Sequence, residues 1–294
     1  FRGGLTVDTV STFSSGSGVY TFSTNAQTIA GTQAYTITNL TNNVTSGNGL
    51  TFSTNNPTIT TLTQGTSGVL TFSGTVPTIT TLTATASPNT VQYTGSTQTV
   101  KGTTYHHLTI AGSGTATLGA DTTLNGNLTI SAGTLALSTL GFTVTGTSSI
   151  TGTLLDTSVT GTNLFIGAVT LNNGSTWSTS GNPAFTFRGG LTVNSTSTFG
   201  AGGGLYTFDT NAQTISGTQA FTIGYVANNI TTGNGLTFSS NNPTMITLTQ
   251  GTNAVLTFSS TLPTITTLDA TANGNTVQYT SDSSQTTQGL TYHH

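Results

Sequence analysis

The chain contains no cysteine and no glutamate, and its basic residues are Arg2, Lys101 and Arg188 alone. Lacking thiols, it can form no disulfide, thiolate nucleophile or cysteine-rich metal site. With three cations and a net charge of -3, it has no basic patch for nucleic acid or an anionic membrane. Charged residues amount to 3%, where globular domains carry roughly a quarter. No apolar run approaches the roughly 20 residues of a membrane-spanning helix, so membrane insertion is not expected. Nor does any segment sustain the i, i+3, i+4, i+7 apolar pattern of a helix over three turns. The first residue is Phe1, no leader is visible, and the 294 residues read as a segment of something longer.

Threonine, serine, asparagine and glycine fill the space that charge leaves. Threonine suits a pleated, half-exposed surface, because its branched carbon favours strands and its hydroxyl tolerates water. Asparagine and glycine suit corners, since both accept positive φ. The long-range order is a duplication. Phe1-Arg2-Gly3-Gly4-Leu5-Thr6-Val7 returns at an offset of 186 as Phe187-Arg188-Gly189-Gly190-Leu191-Thr192-Val193. Both copies finish on Tyr-His-His, at 105–107 and 292–294. The expected organisation is therefore copy A over 1–107, a middle segment over 108–186, and a second copy over 187–294, forming one continuous rod.

A shorter echo runs inside each copy. Leu50-Thr51-Phe52-Ser53 followed by Pro57-Thr58-Ile59-Thr60-Thr61-Leu62 repeats twenty residues later, from Leu70 to Leu82. Apolar side chains alternate with Thr or Ser, the period of a strand with one buried face. The alternation slips between Thr60 and Thr61, which predicts a corner. A unit this short cannot bury its own apolar residues and needs a neighbour above and below. The predicted fold is all-β: a β-solenoid, or β-helix, with coils of about 20 residues. About 14 coils at roughly 4.8 Å would make a rod near 70 Å long. A string of immunoglobulin-like sandwiches would suit a 186-residue unit but would show no 20-residue echo.

The core stack then follows from the register. Leu50, Phe52, Ile59 and Leu62 should lie on Leu70, Phe72, Ile79 and Leu82. In the second copy Leu236, Phe238, Met245 and Leu248 should lie on Leu256, Phe258, Ile265 and Leu268. Exchanges between the copies at Val19/Leu205, Tyr35/Phe221, Val44/Ile230, Ile59/Met245 and Val76/Leu262 are apolar or nearly so, and read as inward positions. Thr60 becoming Ile246 at a corner is the exception and has no explanation at this level.

Chemistry is sparse. A polysaccharide-cleaving β-helix needs clustered acids and a base. The acids here are Asp8, Asp121, Asp156, Asp209, Asp269 and Asp282, and none occurs at matched positions in both copies. They read as solvated charges on corners, and no catalytic residue is assigned. Arg2 and Arg188 recur beside Gly-Gly, as an anion or sugar contact or, preferred, as caps on corner carbonyls. His106-His107 and His293-His294 are native sequence, since the internal pair rules out a tag remnant. Adjacent strand residues point to opposite faces, which disfavours chelation by either pair, so no metal or cofactor is expected. Gly202-Gly203-Gly204 lacks the Asp of a calcium-binding nonapeptide solenoid. Sequons begin at Asn39, Asn43, Asn127, Asn173, Asn194 and Asn229, as often happens where Asn and Thr abound. Rows of Thr-x-Thr suggest ice-binding arrays, but they break at corners and vary in interval.

Tyr105-His106-His107-Leu108-Thr109-Ile110-Ala111-Gly112-Ser113-Gly114, leading to Leu124-Asn125-Gly126-Asn127-Leu128-Thr129-Ile130, resembles repeats of large secreted bacterial surface proteins. Those are similar in kind to filamentous haemagglutinins and autotransporter passengers. The resemblance implies a right-handed parallel β-helix exported to the cell surface as a stalk, adhesin or fibre. It carries over no catalytic residue. The expected function is structural and extracellular, a non-enzymatic rod segment of a tandem-repeat filament. Its ends would join further repeats of a longer chain or other subunits, and surface glycans are the alternative partner. A carbohydrate-binding adhesin is the second reading and a polysaccharide lyase or hydrolase the third.

Overall fold

A computed structural model describes residues 1–54, 57–240, 243–287 and 291–292. It is all-β, a solenoid of about 13 turns with coils of about 21 residues. The winding is looser than a strict 20-residue period because coil length varies. Val7 pairs with Gly31, 24 residues on, Ile29 with Phe52 at 23, Phe52 with Phe72 at 20, and Tyr93 with Ile110 at 17. The chain divides into two compact units, 1–136 and 137–294. Their boundary falls inside the middle segment, while the repeat borders at 107/108 and 186/187 lie within units.

In the first unit one parallel ladder runs through Leu5–Val7, Gln27–Gly31, Leu50–Phe52, Val69–Phe72, Thr90–Tyr93, His107–Ile110 and Leu128–Ile130. A second, four-stranded sheet joins Val19–Ser23, Thr36–Asn43, Thr58–Gln64 and Thr78–Thr83. The slip in alternation is visible there. Ile37, Ile59 and Ile79 are in register, as are Asn39, Thr61 and Thr81, while Thr38, Thr60 and Thr80 drop out of the ladder. Two outward residues in succession turn each strand about that point, so Leu40, Leu62 and Leu82 return to the interior.

Corners are set by backbone approach. Gly49 has φ +68°, and a Cβ there would lie 1.9 Å from the Val69 carbonyl oxygen of the next coil. Gly235 repeats this at φ +63° and 1.8 Å from the Val255 oxygen. Only glycine lets successive coils close to ladder spacing at these corners.

The second unit repeats the design. Ser148–Ile150, Val169–Leu171, Leu191–Val193, Gln213–Gly217, Leu236–Phe238, Val255–Phe258 and Thr276–Tyr279 form its first ladder. Leu205–Asp209, Thr222–Asn229, Thr244–Gln250 and Thr264–Asp269 form the counterpart of the four-stranded sheet.

Two inferences drawn from the copy-to-copy exchanges are corrected. Val19 and Leu205 are outward, 64% and 47% exposed, because both stand in phase with Thr21 and Thr207 rather than with Phe22 and Phe208. Val76 and Leu262 are half-buried at corners. The other three pairs are buried.

Candidate functional site

The interior where coil meets coil holds most of the specific chemistry of this chain. Leu50, Phe52, Ile59 and Leu62 pair in register with Leu70, Phe72, Ile79 and Leu82. Leu236, Phe238, Met245 and Leu248 pair likewise with Leu256, Phe258, Ile265 and Leu268. All sixteen side chains are buried. Phe52 and Phe72 have ring centroids 5.7 Å apart, and Phe238 and Phe258 5.8 Å. Parallel in-register strands bring like to like, so each winding supplies the next with a surface of its own shape.

Buried amides accompany the apolar stack. Asn42 Nδ2 donates to Gln64 Oε1 at 2.5 Å and to the Val69 carbonyl at 2.7 Å. Gln64 Nε2 donates onward to the carbonyls of Gly68 and Thr90, both at 3.1 Å. The second unit repeats this with Asn228, Gln250, Val255 and Thr276. Gln27 and Gln213 cap corners in the same way, donating to the carbonyls of Ser23 and Asp209. Sequence reasoning missed this set, yet a signal was present. Asn42 stands in phase with Leu40, and Gln64 with Leu62, so strand alternation alone places both inward.

A tyrosine pair forms a second polar lock. Tyr93 and Tyr105 are fully buried with hydroxyls 3.0 Å apart. The Lys101 N–H donates to Tyr93 at 3.0 Å, and Tyr105 donates to the Lys101 carbonyl. Burial pushes the Tyr93 hydroxyl up to about 12, so the lock stays neutral across physiological pH. Tyr279 and Tyr292 repeat the 3.0 Å contact. Tyr35, whose counterpart is Phe221, has a buried hydroxyl with no partner among the described residues.

The ionisable residues depart from expectation in three places. Asp156 is buried, not solvated; its carboxylate accepts from the Ser158 N–H at 2.9 Å and from Asn163 Nδ2 at 2.8 Å. Among the described residues Arg188 pairs with a carboxylate rather than capping carbonyls. Its Nε and Nη2 donate to Asp209 at 2.8 and 3.3 Å, one coil away, and this pairing raises the guanidinium pKa. In copy A the position of Asp209 is Ser23, and Arg2 is exposed. The Arg188–Asp209 pair is an acid–base contact on a lateral face.

The third departure is the histidine pair. Strand alternation puts His106 and His107 on opposite faces, but a bend at His106 interrupts the strand. The rings meet edge to face with centroids 4.2 Å apart. Both Nδ1 atoms converge over Gly126, where a Cβ would lie 2.5 and 2.6 Å from them. His107 Nδ1 accepts from the Asn127 N–H at 2.8 Å, so it is the unprotonated nitrogen. The second pair, His293-His294, lies outside the described residues, as does Gln288. Among the described residues no three His, Cys, Asp or Glu side chains gather as metal ligands.

Burial, then the neighbouring His106, lowers the His107 pKa below its ordinary 6.5. The unfolded chain therefore binds this proton more readily than the folded one. Its contribution to stability is complete above 6.5 and is lost as pH falls below it. The His107 ring protons should titrate with a midpoint below 6.5 by NMR. The urea midpoint should drop between about pH 7.5 and about pH 5 by more in the native chain than in His107→Gln. A His107 midpoint at or above 6.5 would contradict this account.

Several shallow surface clefts indent the coils. One of about 340 Å³ in the second unit is lined by Thr162, Leu164, Ala184, Thr186, Arg188 and Asp209. No helix among the described residues is long and apolar enough to cross a membrane. No protein family, curated protein or solved structure matches the chain.

Proposed function

We propose that this chain is a structural rod segment of an extracellular cell-surface fibre, built from tandem 186-residue repeats. The observation that carries the reading is the in-register stacking of like residues within each unit, apolar on apolar and amide on amide. A winding of this kind ends in a strand edge that accepts another strand of the same pattern, from a longer chain or from a second subunit. Self-complementarity along one axis is what a filament requires, and each added coil extends both ladder and core. Three cationic residues in 294 also leave trypsin-like proteases few sites, which suits exposure outside a cell.

Electron microscopy of the native material tests the reading. Long thin fibres are expected, with an axial repeat near the rise of one repeat unit, on the order of 45 Å for about nine coils. Isolated globular particles, together with a monodisperse monomer at high concentration, would refute it.

A further inference from the structure

Several of the exchanges between the two copies fall at exposed positions of neighbouring strands in the second unit. Leu205, Tyr225 and Ile246 are 47%, 43% and 48% exposed in the second unit. Leu205 pairs with Tyr225 in register, and Ile246 precedes Thr247, the partner of Tyr225. Leu205 and Tyr225 form an apolar rung, and Ile246 stands beside it at the adjoining corner. Copy A carries Val19, Asn39 and Thr60 at these positions. The Thr60-to-Ile246 change, unexplained by sequence, has a structural partner. Thr38 of copy A is replaced by Gly224, and Ile246 Cδ1 would lie 3.9 Å from a Cβ placed there. Ile246 leans into the space that the glycine leaves.

Beside this rung the floor is made of small side chains. Thr207 pairs with Ala227, and Thr186 with Thr207. At the far edge stands Asp209, four residues beyond Leu205 on the same strand, about 13 Å away. It is held by Arg188, and the cleft described above opens next to the pair. Ser23 stands in the place of Asp209 in copy A, so the ion pair and the aromatic rung occur in the second copy together.

We propose that this face of the second unit binds a neutral oligosaccharide, with Tyr225 stacked on one pyranose and the Asp209–Arg188 pair bonded to hydroxyls of another. An exposed ring beside aliphatic side chains suits the C–H face of a sugar, while a planar carboxylate–guanidinium pair offers acceptors and donors to adjacent hydroxyls. The pair's charges cancel, which favours a neutral ligand over an anionic one. The size also discriminates. The apolar rung exposes on the order of 300 Å², well short of the roughly 800 Å² per partner of a stable protein interface. A ligand spanning about 13 Å matches the distance from the rung to the ion pair.

Copy A supplies substitutions that the fold already accommodates. Tyr225→Asn and Asp209→Ser install the residues found at 39 and 23, with Asn39→Ala as the control on the other copy. The full chain is titrated by calorimetry and NMR against neutral cello-, manno-, malto- and xylo-oligosaccharides. At least one should bind saturably, with affinity lowered about tenfold or more by Tyr225→Asn and by Asp209→Ser, and unchanged by Asn39→Ala. Absence of binding to every oligosaccharide overturns the proposal, as does retained affinity in either variant. A wild-type dimer that Tyr225→Asn dissociates, with no sugar bound, overturns it in favour of a second copy on this face.

Discussion

Trp177→Ala is expected to destabilise the second unit by about 3–5 kcal/mol, the range for removing a fully buried aromatic from a close-packed core. Trp177 is the single tryptophan of the chain and has no solvent exposure. It joins two columns of rings. Its centroid lies 5.6 Å from that of Phe199, stacked one coil on, 4.9 Å from Phe185 and 5.7 Å from Phe165. Its Nε1 donates to the Tyr206 hydroxyl at 3.2 Å, and Tyr206 donates in turn to the Ala201 carbonyl at 3.0 Å. Alanine would leave a cavity walled by rings on three sides, and rings held in ladder register cannot collapse into it. The Tyr206 hydroxyl keeps its carbonyl acceptor, so lost packing rather than a stranded polar group should dominate. Trp177→Phe, which keeps most of the volume, should cost no more than about 1.5 kcal/mol. Urea unfolding followed by circular dichroism measures both, and hydrogen exchange locates the loss. A Trp177→Ala cost below about 1 kcal/mol would mean that the ring columns are not close-packed. In a solenoid the loss should be greatest in coils adjoining the substitution, because each coil is stabilised by its neighbours.

Sequence and structure agree best where a side chain's phase is decided by strand alternation. The Leu50 to Leu82 echo places eight residues in register because one repeat length holds there. The early coils are less legible, since Leu5–Val7, Gln27–Gly31 and Leu50–Phe52 follow one another at offsets of 24 and 23 residues rather than 20. Val19 and Leu205 show why an apolar exchange between copies does not prove burial. Both residues are in phase with threonine, and phase outranks hydrophobicity on a period-two element. The His106-His107 reading failed for the opposite reason, because it presumed a regular strand where the chain bends.

The polar contacts were less legible because they depend on which coil lies beneath which. Asp209 and Arg188 are 21 residues apart, and only the winding brings them within 2.8 Å. Asp156 reads as one more corner carboxylate until the strand Thr153–Asp156 is seen to place it inward, beside Asn163. Burying Asp156 is costly unless its bonds are made, and contacts that run from coil to coil, as Arg188 to Asp209 and Asn42 to Gln64, also fix the register of one coil on the next.

That register argument leads to the second large effect, Gln64→Leu, which should cost about 2–5 kcal/mol although leucine is apolar and of similar volume. Gln64 sits between Asn42 below and the Gly68 and Thr90 carbonyls. Leucine removes the acceptor of one Asn42 bond and the donor to both carbonyls. Each buried group left unpaired costs about 1–3 kcal/mol, while the gain from burying extra methyl surface is smaller. Gly68 is partly compensated, since its oxygen also accepts from the Thr90 N–H at 2.9 Å. The Thr90 carbonyl keeps its place in the ladder opposite Val69 but loses its second donor, and Asn42 keeps only its bond to Val69. The duplication provides an internal replicate. Gln250 takes 2.6 Å from Asn228 and gives 3.0 Å to the Thr276 carbonyl, against 2.5 and 3.1 Å for Gln64. Gln250→Leu should therefore cost the second unit the same within about 0.5 kcal/mol, as expected of a local effect. Denaturant titration of the two single variants, with exchange rates read at residues flanking each site, decides the matter. If either leucine is neutral or stabilising, the amides are not what holds successive coils in register, and the apolar stack alone must do so.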